Sequence, residues 1–227
     1  MIADKLLMNG MPAIDLAQTL FEQHKILLMK FAIYQCEERP HFAETKKKNP
    51  KAKRSVAEAL QHTPDSTERT IFVQNLEDFS KVREKMASLQ EINPENVEIA
   101  SYLENNEKKP RIHEAMKAIS RVETRNGIFH IPFLDLDIPV DEGGAASAQE
   151  VFIGLGVKSG AIINSGASYH GWGLELLKDN DWRDFMARAL LLDRIDRRWV
   201  GHRLIDGQAN IRVSEKRGKI PKVVYAF

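Results

Sequence analysis

Residues 129–138, FHIPFLDLDI, constrain this chain more than any other stretch. Leu134, Leu136 and Ile138 alternate with Asp135 and Asp137, and such period-two alternation is the pattern of a half-buried β-strand. One face must enter a core while the other carries two carboxylates one strand repeat apart. Like charges that close repel, so the pair becomes favourable when a divalent cation lies between them. An oxygen-only donor set favours magnesium or manganese over zinc. By itself the pair fits a solvent-facing acidic edge equally well, because short motifs recur by chance. Pro132 lacks an amide hydrogen and marks an irregular start or an edge to this strand.

A chain of 227 residues, 43% hydrophobic and 29% charged, can bury a substantial core. Its formal net charge of +1 excludes a protein that coats nucleic acid through its overall field, so any such contact must be local. Two basic clusters qualify: residues 46–54 (KKKNPKAKR) and the set Arg212, Lys216, Arg217, Lys219 and Lys222, each of which also fits a solvated loop. The single cysteine, Cys36, excludes an internal disulfide and a paired-cysteine zinc ribbon, and a reducing, cytoplasmic setting is expected. The apolar run at 26–29 is cut by Lys30 far short of a membrane span, so neither a transmembrane helix nor a signal peptide is expected.

The rest of the chain reads as a mixture of helices and strands. Residues 12–24 predict a helix opened by Pro12, with Ile14, Ala17, Leu20 and Phe21 along one face. Residues 25–36 are apolar enough for a buried strand or for more helix, and periodicity does not choose. Residues 37–68 and 93–110 are polar and loop-like; between them, 69–74 predict a strand and Leu76, Phe79, Val82, Met86 and Leu89 a helix. Ile112, Met116 and Ile119 then predict a short amphipathic helix.

After the acidic strand, Ser147 and Glu150 have capping-box spacing and predict a helix ending near 156–158. Residues 161–170 predict a strand, 181–193 a helix with an acidic first turn, and Asp206-Gly207 a hairpin turn between 203–205 and 208–213. The fold class is therefore α+β. A helix-rich, α+β N-terminal region over 1–110 precedes a catalytic core over 111–227, as two parts of one compact unit or as separate domains.

Two further segments carry chemistry. In residues 165–171 (SGASYHG) alternation puts Ser168 and His170 on one face, between glycines that let backbone approach a phosphate. A strand end whose histidine caps a carbonyl is the plainer reading. Residues 196–204 (DRRWVGHRL) crowd an acid, cations and Trp199 together, and Arg203 and Arg212 suit bidentate phosphate contacts. Surface ion pairs with Asp193, Asp196 and Asp206 explain the same residues.

The order of these segments, acid-x-acid strand, helix, Gly-rich strand ending Ser-x-His, then a hydrophobic-Asp segment before arginines, resembles the catalytic core of the archaeo-eukaryotic primase superfamily. The resemblance covers about residues 127–222 and is closest to small bacterial primase-like proteins. It implies an RRM-like mixed or antiparallel sheet backed by helices. Asp135, Asp137 and Asp196 would hold magnesium or manganese, and Ser168, His170, Arg203, Arg212 and Lys158 would contact the nucleotide. The implied activity is two-metal transfer of a nucleotide from a nucleoside triphosphate to a 3′-hydroxyl on a nucleic-acid template.

Among the acids that compete for the third position, Asp206 suits a tight turn and Asp193 a helix end. Asp196, at the expected start of an Arg-rich strand, fits the family pattern, with Asp206 as runner-up. Lacking a cysteine zinc module, the chain is expected to extend rather than prime de novo, or to use a protein partner for initiation. Two other classes stay open. A non-catalytic nucleic-acid- or nucleotide-binding module would use Tyr169, Trp172 and Trp199 as stacking platforms, and a two-metal nuclease would use the same acids. The three acids argue against a pure binder, which gains nothing from repelling phosphate.

Overall fold

The computed structural model describes residues 9–38, 69–89, 91–92, 111–216 and 218–227. The basic run at 46–54 and the loops expected over 37–68 and 93–110 lie outside the described residues, except for Glu37 and Glu38, which are strand rather than loop.

Helix α1 (Ala13–Gln23) starts after Pro12 and buries Ile14, Leu16, Ala17, Leu20 and Phe21 along one stripe. Strand β1 (Met29–Glu38) resolves the ambiguous apolar stretch, and β2 (Thr70–Val73) and helix α2 (Asp78–Ala87) follow as the periodicity predicts. A short β3 (Glu91–Ile92) precedes β4 (Arg111–Ile119). The helix expected at 112–119 is thus a strand. Strand β4 is bonded to β1 along one edge and to β3 and β10 (Asn210–Arg212) along the other. Ala115, Met116, Ala118 and Ile119 are buried on both of its faces, so no alternation shows, and the remaining apolar spacing imitates a helix.

These strands form one antiparallel sheet in the order β10-β4-β1-β2, with β3 beside β4. Helices α1 and α2 cover one face: Phe79 meets Phe21 edge-on at 5.5 Å and Phe31 at 6.0 Å between ring centroids. Register places Tyr34, Lys117 and Asn210 on the opposite face, since Ala32, Lys117 and Arg212 are paired across three adjacent strands. Strands from both halves of the chain therefore share this sheet.

A hairpin of β5 (Arg121–Thr124) and β6 (Gly127–His130) leads through Pro132 to β7 (Phe133–Pro139). The single strand expected over 129–138 is divided at Pro132, whose missing donor ends the hairpin. Helix α3 (Gly144–Gly154) begins at Gly143 without a side-chain cap, so Ser147 sits inside the first turn and the capping box is not formed. The strand expected over 161–170 is two strands, β8 (Gly160–Asn164) and β9 (Ser168–Gly173), joined by a turn at 165–167. Strand β11 (Lys222–Ala226) completes a second antiparallel sheet, in the order β11-β8-β9-β7.

Two glycines are required by geometry. Gly171 on β9 faces α3, and a Cβ there would lie 1.9 Å from the Phe152 ring. Gly207 takes φ 66° and closes helix α5 (Arg197–Asp206), which follows α4 (Asp179–Ala189). The Asp206-Gly207 hairpin is thereby corrected. A left-handed glycine serves a tight turn and a helix C-terminus equally, and here it ends a helix that carries Arg203. The architecture is α+β with antiparallel sheets, and no described helix is long and apolar enough to cross a membrane.

Candidate active site

The alternation of β7 holds in space. Leu134, Leu136 and Ile138 are buried against the α3 side, whereas Asp135 is half-buried and Asp137 exposed on the other face. Cross-strand register pairs Asp135 with His170 and Phe133 with Trp172. One face of this strand pair thus runs from an aromatic end, where the Phe133 and Trp172 rings lie 4.4 Å apart, to a polar end formed by Asp135, His170 and Ser168.

The third acid arrives along the outer edge of β7. Leu136 bridges Ile195 antiparallel, the Asp137 amide donates to the Arg194 carbonyl at 3.0 Å, and the Asp196 amide donates to the Asp135 carbonyl at 3.2 Å. This register sets Asp196 opposite Asp135, so His170, Asp135 and Asp196 form a row on one face. Asp196 was expected at the start of a strand. It instead caps α5, its Oδ1 accepting from the Trp199 amide at 2.9 Å.

Electrostatics follow from this crowding. Burial, then the Asp196 carboxylate, pushes the Asp135 carboxyl up to about 7; Asp137 adds to the rise, and Arg212 and Lys216 oppose it. Burial, with the Arg212 guanidinium, pushes His170 down to about 3, so its imidazole is neutral. The His170 Nε2 lies 3.9 Å from Asp135 Oδ1, a contact of dipole with carboxyl rather than an ion pair.

The row opens into a cavity of about 660 Å³ between the two sheets, a size typical of small-molecule sites. Ser165, Ser168, His170 and Asp135 line one side, Trp199 and Arg203 come from α5, and Lys216 and Lys219 from the loop after β10. Arg203 is buried and pairs with Asp206 at 3.1 Å, so Asp206 serves as that cation's anchor. Arg212 donates to the carbonyls of Ser214 at 2.6 Å, Lys219 at 3.3 Å and Ser165, tying the β8–β9 turn to the C-terminal loop. Lys158 is not brought to this site. It lines a separate cavity of about 180 Å³ with Asp181, Asp184 and Arg188.

Sequence reasoning missed Tyr34 and Lys117, which line the cavity from the five-stranded sheet, the Lys117 ammonium 4.4 Å from the Tyr34 ring centroid. No local signal marks them, because their place depends on the pairing of β1 with β4. Of the three aromatics suggested as stacking platforms, Tyr169 and Trp172 are core residues, and Trp199 alone reaches the cavity.

The donor chemistry fits a hard divalent cation. Burial and then the Asp196 carboxylate push the Asp135 carboxyl up to about 7, and a cation among the acids offsets that penalty on its charged form. Among the described residues no three acids, histidines or cysteines gather into a complete ligand cage. Magnesium commonly takes one or two carboxylates and completes its sphere with water and substrate phosphates, which suits an open acidic row with cations in the same cavity lining.

Comparison with known families gives one result: a family described as archaeo-eukaryotic primase 1D-like matches residues 98–225, more than half of the chain. No curated protein and no solved structure matches.

Proposed function

The chain belongs to the archaeo-eukaryotic primase 1D-like family, and from that premise we propose that it is a metal-dependent nucleotidyltransferase that extends a nucleic-acid 3′-end from nucleoside triphosphates. The observation that carries the reading is the row His170–Asp135–Asp196 at a cavity that Arg203, Lys216 and Lys219 also line. Acids and cations around one cavity match the two halves of a metal-triphosphate complex.

Asp135, Asp137 and Asp196 would hold magnesium or manganese in this reading, and the cation would supply charge neutralisation for the triphosphate and a lowered pKa for the attacking hydroxyl. In the transfer, the 3′-oxygen forms its bond to the α-phosphorus, the bond to the β-phosphate bridge breaks, and pyrophosphate leaves. Neutral His170 donates to a phosphate oxygen rather than attracting it by charge, and Ser168 beside it on the same face does likewise. Arg203, fixed by Asp206, presents a cation that does not collapse onto the acids when the cavity is empty. Arg212 acts mainly by position: its donors are committed to backbone carbonyls, and its charge is felt by Asp135 and His170.

The test is incorporation. The purified chain, a primed template, manganese and labelled deoxynucleotides or ribonucleotides should give extended product, and Asp135→Ala should abolish it. Cleavage of a labelled strand without incorporation would move the reading to a nuclease.

A further inference from the structure

We propose that Ser120 and His130 are positioning residues: a buried clasp between the two sheets that holds the cations of α5, β10 and the following loop at the spacing from Asp135 that a metal-bound triphosphate spans. The inference rests on the nucleotidyltransferase reading for the identity of the ligand, and on hydrogen bonds for the clasp.

Ser120 stands between β4 of the five-stranded sheet and the β5–β6 hairpin, and it is fully buried. Its amide donates to the Ala209 carbonyl at 2.8 Å, its carbonyl accepts from the Ile131 amide at 2.8 Å, and its Oγ accepts from the Ala209 amide at 2.9 Å. The hydroxyl hydrogen is then left for His130 Nδ1, 3.2 Å away. That donation requires an unprotonated Nδ1. Burial supplies it by holding His130 down to about 4, so near pH 7 the imidazole is neutral with its hydrogen on Nε2. Nε2 faces Asp179 Oδ1 at 3.4 Å, too far to orient the ring by itself. The ring is also stacked on Trp182, and the His130 backbone bonds Leu177 in both directions, at 2.7 and 2.9 Å.

The clasp joins the two stretches of chain that enter the cavity. From His130 the chain runs through Pro132 into β7 and Asp135. From Ala209 it runs into β10 and Arg212, then to Lys216 and Lys219; in the other direction Ala209 follows the Gly207 end of α5, the helix that carries Arg203. The acids need no clasp to stay together, because backbone bonds of β7 to Arg194 and Asp196 already join Asp135, Asp137 and Asp196. What the clasp fixes is the reach from those acids to the cations. That spacing already matters in the electrostatics, since the Arg212 charge is felt by both Asp135 and His170. Ser120 and His130 do not line the cavity, so they act through the residues they place.

The experiment measures two affinities without turnover: manganese alone, from the paramagnetic resonance of the free ion, and a fluorescent nucleoside triphosphate at saturating manganese. Ser120→Ala should weaken triphosphate binding about tenfold, below the roughly hundredfold that an ångström of misplacement can cost at a reacting centre, and leave manganese affinity unchanged. His130→Leu keeps the bulk, removes the acceptor and should do the same. His130→Asn, whose amide oxygen can take the place of Nδ1, should retain most of the wild-type affinity. Phe79→Leu loosens the core under α2 and reads the effect of lost stability by itself; its triphosphate affinity should match wild type. Unchanged triphosphate affinity in Ser120→Ala and His130→Leu, equal losses of manganese and triphosphate, a His130→Asn as weak as His130→Leu, or an equal loss in Phe79→Leu would each overturn the proposal. Should Ser120→Ala not fold, the two His130 variants decide. A wild type that binds the triphosphate and incorporates none, with these binding changes intact, would instead count against the transferase reading alone.

Discussion

Replacing Asp135 by asparagine should stabilise the metal-free protein, and the size of the gain follows from the site. The Asp135 carboxyl moves from 3.8 to about 7 in the folded chain. The folded state therefore keeps a proton that the unfolded state has released, and stability falls as pH rises between those values, then levels off. The full shift corresponds to about 4 kcal/mol. The side chain is 31% exposed, and screening by the water that reaches it reduces the expected cost to about 2 kcal/mol. Asparagine keeps the shape and removes the charge. In a chelator, thermal unfolding of Asp135→Asn should lie about 4–8 °C above wild type near pH 8 and match it near pH 4. Manganese should then raise the melting temperature of the wild type much more than that of the variant. A variant less stable than wild type near pH 8, or a gain of equal size at both pH values, would refute both the crowding of acids around Asp135 and its role as a cation ligand.

Asp196→Asn should keep its helix cap, because asparagine caps as well as aspartate, and lose incorporation, while the metal-free melting temperature rises because a charge that crowds Asp135 is gone. Asp206→Asn should loosen the hold on buried Arg203, costing about 3 kcal/mol in denaturant titration and weakening triphosphate binding more than metal binding. His130 is fully buried, stacked on Trp182 at 4.4 Å, and held down to about 4 by burial against the opposing pull of Asp179. Its contribution is complete above about pH 6.5 and lost as pH falls toward 4, at most about 3 kcal/mol. His130→Phe should flatten stability-against-pH in that window, measured by urea unfolding. Gly171→Ala drives a methyl into Phe152 and should cost about 1–3 kcal/mol, with Phe152→Leu in the same chain restoring most of the melting temperature.

The sequence by itself determined whatever depends on neighbours along the chain. Period-two alternation put Asp135 and Asp137 on the face opposite Leu134, Leu136 and Ile138, helical spacing found α1 and α2 through the residues they bury, and an acidic first turn marked α4. The order of short motifs sufficed for the family, because that order is itself a property of the chain. Tertiary structure decided everything that depends on which strand lies beside which. Strand β4 imitated a helix because covering both its faces erased alternation, and Gly207 imitated a hairpin because a left-handed backbone ends a helix as readily as it turns a chain. Lys158 and Arg203 are equally cationic in sequence, yet only the packing of α5 against β7 brings one of them to the acids. Tyr34 and Lys117 lie far apart in the chain, and a hydrogen-bonded register between β1 and β4, written in no local pattern, is what brings them together in the cavity that Asp135 also lines.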